Sequence, residues 1–117
     1  MQSDKLLKIV LNELDERKGL NIATLDLSEK TSFTDYMVIV TGTSNRHLMS
    51  LCEHVAAKVE ENGIQPLGLE GGPSADWVLL DLGDVIVQAM TAQARDYYQL
   101  EKLWSVDSPK TMEKQVG

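Results

Sequence analysis

A chain of 117 residues, 43% hydrophobic and 25% charged, has the size and composition of one globular domain around one core, which excludes a fibrous or wholly disordered protein and leaves a second domain unexpected. Eighteen acidic against eleven basic residues give a net charge of −7 with no basic patch, so extensive direct nucleic-acid contact, which relies on Lys and Arg neutralising phosphates, is not expected. A basic protein is the more natural partner, although acidity also has the plainer use of keeping a cytoplasmic protein soluble.

No run approaches the roughly eighteen apolar residues that span a bilayer, and Met1-Gln2-Ser3-Asp4 opens a charged helix rather than a signal peptide, so a cytoplasmic protein with no membrane partner is expected. From Ser3 the chain reads as a helix with Leu7, Val10, Leu11 and Leu14 on one stripe, Glu13 and Arg17 as an i,i+4 pair, and Gly19 as its stop. Asn21 to Leu27 reads as a strand, Lys30 to Asp35 as a turn. Tyr36 to Thr41 is a continuous apolar run, expected to be the central strand, buried on both faces. Gly42-Thr43-Ser44-Asn45 supplies a loop and an N-cap. Leu48, Leu51, Cys52, Val55, Ala56 and Val59 then follow helical spacing up to a stop before Gly63. Pro66 to Glu70 predicts a short peripheral strand, and Gly71-Gly72-Pro73-Ser74 a mobile loop. Trp77 to Leu82 and Val85 to Met90 form a hairpin closed by Gly83-Asp84, and Thr91 caps a last helix through Ala94, Tyr97, Leu100 and Trp104. The order α-β-β-α-β-β-β-α predicts a small α/β domain over residues 1–104, with a mixed five-stranded sheet and helices mainly on one face. Ser105 to Gly117, polar and carrying Pro109, reads as a flexible tail.

A two-residue turn at Gly83-Asp84 sets Leu82 opposite Val85, Leu80 opposite Val87 and Val78 opposite Ala89, which makes one face wholly apolar. The other face then carries Asp81 with Ile86, Leu79 with Gln88 and Trp77 with Met90. Large apolar groups rimmed by polar ones have the anatomy of an interface hot spot. Either this face meets a partner or the last helix folds back over it. Tyr97, Leu100 and Trp104 at i, i+3 and i+7 are expected to point inward, leaving Arg95, Tyr98 and Glu101 on the accessible side with Tyr98 as a second anchor. The candidate partner-binding residues are therefore Trp77, Leu79, Asp81, Gln88, Met90, Arg95, Tyr98 and Glu101.

Little points to catalysis. The single Cys52 forms no internal disulfide and falls on an apolar helix stripe, as a core residue does. His54 lies off that stripe, and with His47 alone beside them no metal-ligand spacing arises. Gly68, Gly71 and Gly72 precede a strand rather than a helix, so neither phosphate-loop nor dinucleotide motifs are present. Gly42-Thr43-Ser44 after a buried strand, with acidic residues on a later hairpin, is similar to a degenerate nucleotidyltransferase. Two-metal phosphoryl transfer, however, needs carboxylates at i,i+2 on one strand face, whereas Asp81 and Asp84 are i,i+3 and one lies in the turn. No enzyme and no cofactor are expected.

Trp77-Val78-Leu79-Leu80-Asp81-Leu82-Gly83-Asp84-Val85, followed by Arg95-Asp96-Tyr97-Tyr98-Gln99-Leu100-Glu101-Lys102-Leu103-Trp104, resembles the hallmark of the ribosomal silencing factor (Iojap-like) family. Gly42-Thr43-Ser44-Asn45-Arg46, Glu70-Gly71 and Asp35-Tyr36 match further family positions in order, so the resemblance runs from Leu7 to Trp104. It implies a nucleotidyltransferase-like topology without activity, docking on protein fourteen of the large ribosomal subunit. That contact would remove a bridge to the small subunit and lower translation when nutrients are scarce. It also implies a tendency to form homodimers. One departure is Gln88-Ala89-Met90, where the family usually has His and then Val-Phe; if the histidine contributes to binding, Gln88 must substitute as a neutral donor and acceptor. A large-subunit assembly factor and a vestigial nucleotidyltransferase are the alternative functions.

Overall fold

A computed structural model describes residues 2–72 and 74–105. The first helix, α1, spans Ser3–Glu16 and buries Leu6, Val10 and Leu14, one turn apart, with Leu7 and Leu11 only half-buried on its flank. The deep stripe is thus rotated from the expected one towards Leu6. It also takes in Glu13, whose carboxylate is paired with Arg17 Nε at 2.9 Å, the condition on which a charge is tolerated there. The left-handed residue after α1 is Lys18 (φ 66°), while Gly19 is needed for close approach: a Cβ there would stand 2.7 Å from Val40 Cγ2.

Strand β1 (Leu20–Asp26) pairs antiparallel with β2 (Tyr36–Gly42), with an irregularity between Leu20 and Ala23 where Asn21 has φ 50°. Helix α2 (Asn45–Glu61) follows, capped by Ser44, whose Oγ accepts the His47 N–H at 3.1 Å. Strands β3 (Gly68–Glu70), β4 (Trp77–Asp81) and β5 (Val85–Thr91) complete a mixed sheet in the order β1-β2-β5-β4-β3. The centre is therefore β5, not β2. Strand β2 runs parallel to β5 and could reach that register only through a crossover, which α2 and the β3–β4 segment supply. The loop expected to be mobile includes Pro73, which lies outside the described residues. Beyond it, Ala75 and Asp76 are tied by hydrogen bonds from Asn45 Nδ2 and the Thr91 N–H.

Helices α1 and α2 pack on one face of the sheet, against Val38, Val40, Val78, Leu80, Val85, Val87 and Ala89, and their own Val10, Leu14, Leu48, Leu51, Cys52, Val55 and Val59 complete the main core. Each such fully buried side chain contributes about 1.5–3 kcal/mol. A smaller cluster of Leu27, Met37, Ile39, Met90 and Ala94 lies on the opposite face. The expected single C-terminal helix is broken: α3 (Ala92–Tyr98) ends at Gln99 (φ 53°, ψ 48°) and α4 (Leu100–Ser105) sets off anew. Ser105, assigned to a tail by the sequence, is the last residue of α4, and the rest of the expected tail lies outside the described residues.

Candidate partner-binding surface

The hairpin aligns as its alternation dictates, with Trp77 opposite Met90, Val78 opposite Ala89, Leu79 opposite Gln88, Leu80 opposite Val87 and Asp81 opposite Ile86. Leu82 N–H donates to the Val85 carbonyl at 2.9 Å, and Gly83 takes φ 88°, which a turn of this kind requires. Asp81 Oδ1 accepts the Gly83 N–H at 2.9 Å, so this carboxylate stiffens the turn as well as standing at the surface.

The second face divides along its width. Met90 is fully buried and Gln88 nearly so, because β5 is the central strand and the small cluster closes over it; neither presents its side chain to a partner. Gln88 lies beneath the surface and orients it. Its Oε1 accepts the Trp77 indole N–H at 2.6 Å, while its Nε2 faces Met37 Sδ at 3.7 Å. The donor and acceptor expected of Gln88 are thus both used inside the protein. On β4, Trp77, Leu79 and Asp81 remain half-exposed.

The last helix covers this face only at one corner. The Tyr98 ring centroid lies 4.5 Å from that of Trp77, and Tyr97 meets Tyr98 edge-on at 5.0 Å. Tyr98 is 48% exposed and Tyr97, expected to point inward, 79% exposed. The break at Gln99 is the reason: Leu100 packs on the small cluster from a new helix, so its i,i+3 relation to Tyr97 no longer exists. The side chain of Trp104 lies outside the described residues. Sequence spacing missed Tyr97 because no Gly or Pro marks the break.

Arg95 was expected at the surface, but its side chain is only 14% exposed. Its Nε and Nη2 donate to Glu101 Oε1 and Oε2 at 2.7 and 2.8 Å, and its Nη1 to the Asn21 carbonyl and Thr41 Oγ1 at 2.5 and 2.9 Å. The guanidinium hydrogen bond holds the Glu101 carboxyl below the usual carboxylate range.

Residues that suggested chemistry have structural partners. Burial pushes the Cys52 thiol up to about 12, which leaves it a core group rather than a nucleophile. His47 Nδ1 accepts the Thr43 N–H and Nε2 donates to the Arg17 carbonyl, both at 3.0 Å, fastening the end of α1 to the start of α2. His54 is half-buried and bonds the Ser50 carbonyl of its own helix at 2.8 Å. Among the described residues, no group of His, Cys, Asp and Glu could hold a metal ion, and no helix is long and apolar enough to cross a membrane.

The sequence pattern of the family described as "Ribosomal silencing factor during starvation" matches residues 1–116. A ribosomal silencing factor of Chromobacterium violaceum is 39% identical over 109 residues, covering 93% of this chain and 89% of that protein. A crystal structure of a Chromobacterium violaceum protein superposes with a TM-score of 0.87 at 39% identity, covering 93% of this chain and 91% of that one. The mouse protein named "Mitochondrial assembly of ribosomal large subunit protein 1" is 27% identical over 86% of this chain and 45% of its own length.

Proposed function

Because the chain belongs to the ribosomal silencing factor family, we propose that it represses translation by binding the large ribosomal subunit through its protein fourteen and sterically keeping the small subunit from joining, under nutrient limitation. The observation that carries this reading is the half-open surface of Trp77, Leu79, Asp81 and Tyr98, an aromatic and aliphatic centre with an acidic margin on a protein of net charge −7. Such a surface suits a basic ribosomal protein better than RNA, with attraction steering the encounter and the rings supplying the anchor.

The action is exclusion in the cytoplasm, without a cofactor and without chemistry. Asp81 is engaged with the turn, and the residue two before it on the same strand face is Leu79, so the hairpin lacks the paired carboxylates of two-metal catalysis. When the protein is free, the same surface is open to a second copy of the chain.

The protein is expected to co-sediment with isolated large subunits and, added before small subunits, to reduce the yield of joined ribosomes. Unchanged joining at saturating protein would sink the silencing reading. A role in large-subunit assembly is the second reading, favoured by the mouse relative's name. Sedimentation from lysate separates the two, since an assembly factor would peak with immature particles and a silencing factor with mature subunits.

A further inference from the structure

The break between α3 and α4 falls at a glutamine in the left-handed region, a conformation that a side-chain-bearing residue keeps only where its surroundings enforce it. Arg95 spans this break. Its guanidinium makes a bidentate pair with Glu101 across the break, so the last turn of α3 and the first turn of α4 are held at a fixed angle. A third nitrogen reaches the sheet, on the Asn21 carbonyl and Thr41 Oγ1. Asn21 is itself left-handed, at the irregularity of β1, so one half-buried cation ties together two unusual backbone sites that are far apart in sequence. Tyr98 immediately precedes Gln99, so the elbow adjoins the ring that lies 4.5 Å from Trp77.

We propose that Arg95 is a positioning residue for the partner surface: it locks the α3–α4 elbow so that Tyr98 is held against Trp77 before a partner arrives. This rests on the reading of Trp77 and Tyr98 as binding anchors. Holding an aromatic side chain in its bound position lowers the ordering cost of association, and the fork is specific to arginine, because a lysine ammonium cannot span both carboxylate oxygens and the sheet.

The test uses the full chain with Arg95→Lys and Glu101→Gln, the latter keeping a neutral hydrogen-bonding group should the former fail to fold. Both are expected to speed hydrogen exchange at the Gln99 and Lys102 amides, which bond to Arg95 and Gln99 carbonyls, while protection in α2 stays as in the wild type. Affinity for isolated large subunits is expected to fall about five- to tenfold. Combined with Tyr98→Ala, either variant should bind no more weakly than Tyr98→Ala alone, because a residue acting through Tyr98 has nothing left to position. Additive losses, which would mean that Arg95 meets the partner itself, would overturn the proposal. So would unchanged exchange at the elbow, or unchanged affinity with the elbow loosened. A wild-type chain that fails to bind subunits would overturn the partner reading and the positioning role with it, while the exchange data would still report whether Arg95 locks the elbow.

Discussion

Trp77 lies between two environments. Its indole N–H is bonded to the buried Gln88, and its ring packs on the small cluster and, at a tilt, against Tyr98, which leaves it half-exposed. Removing Trp77 therefore deletes a candidate anchor and leaves the Gln88 oxygen without its donor, an unsatisfied buried group that costs about 1–3 kcal/mol. Tyr98, half-exposed, is the cleaner probe. Truncating a central interface aromatic typically costs about 2–4 kcal/mol, so Tyr98→Ala is expected to weaken large-subunit binding roughly thirty-fold or more with a nearly unchanged melting midpoint. Trp77→Ala is expected to lower both. Circular dichroism and pull-down in parallel check this, and a folded Tyr98→Ala chain with wild-type affinity would remove the aromatic pair from the binding surface.

The passage from β2 into α2 depends on a residue with no side chain. A Cβ on Gly42 would stand 2.6 Å from Leu48 Cδ2 and 3.2 Å from His47 Nδ1. Leu48 is fully buried and His47 is held at both ring nitrogens, so neither neighbour has space to withdraw. Gly42→Ala is expected to destabilise by about 1–3 kcal/mol, the usual result of overpacking, seen as a lower urea midpoint with an unchanged slope. Gly68→Ala in β3 is the control, since a Cβ there meets nothing within 4 Å; it should leave the midpoint nearly where it is. Equal effects at the two glycines would show that the crowding at Gly42 is relieved at little cost.

For the molecule as a whole, one phenol–carboxylate hydrogen bond couples stability to alkaline pH. Tyr36 Oη donates to Asp4 Oδ1 at 2.6 Å, attaching α1 to the start of β2, and Ser3 Oγ makes a second such tie to Asp35. The hydrogen bond to Asp4, followed by partial burial and the nearby carboxylates, pushes the Tyr36 phenol up to about 12 from its ordinary value near 10. The folded state thus favours the protonated phenol. Its stabilising contribution is complete below pH 10, where the unfolded chain also keeps the proton, and is lost as pH rises towards about 12. Ionisation there adds a further negative charge to a chain already at −7. Asp4→Asn is expected to move the Tyr36 titration back towards 10 and to flatten the loss of stability over that interval. Tyrosinate absorbance, with Tyr36→Phe to identify the component, measures the shift; an unmoved titration would mean that Asp4 is not its cause.

The alternation of Trp77 to Met90 about Gly83-Asp84 was enough to set the hairpin register residue by residue, because a two-residue turn leaves only one pairing and a strand has only two faces. The spacing of Leu48, Leu51, Cys52, Val55 and Val59 likewise determined the buried side of α2, and the order of elements determined the class of fold. Which of two apolar strands lies at the centre was not legible, since β2 and β5 are both flanked on two sides and their order follows from a crossover that local pattern does not encode. The same holds for the candidate surface. Trp77, Gln88 and Met90 share one strand face in sequence, yet β5 is covered and β4 only half so, a difference decided by where Leu27, Met37 and Ala94 pack from elsewhere in the chain. Nor does any residue type at Gln99 announce the break that turns Tyr97 outward. That break is held by a pairing of Arg95 with Glu101, Asn21 and Thr41, and contacts between residues up to 74 positions apart come into existence only when the chain has folded.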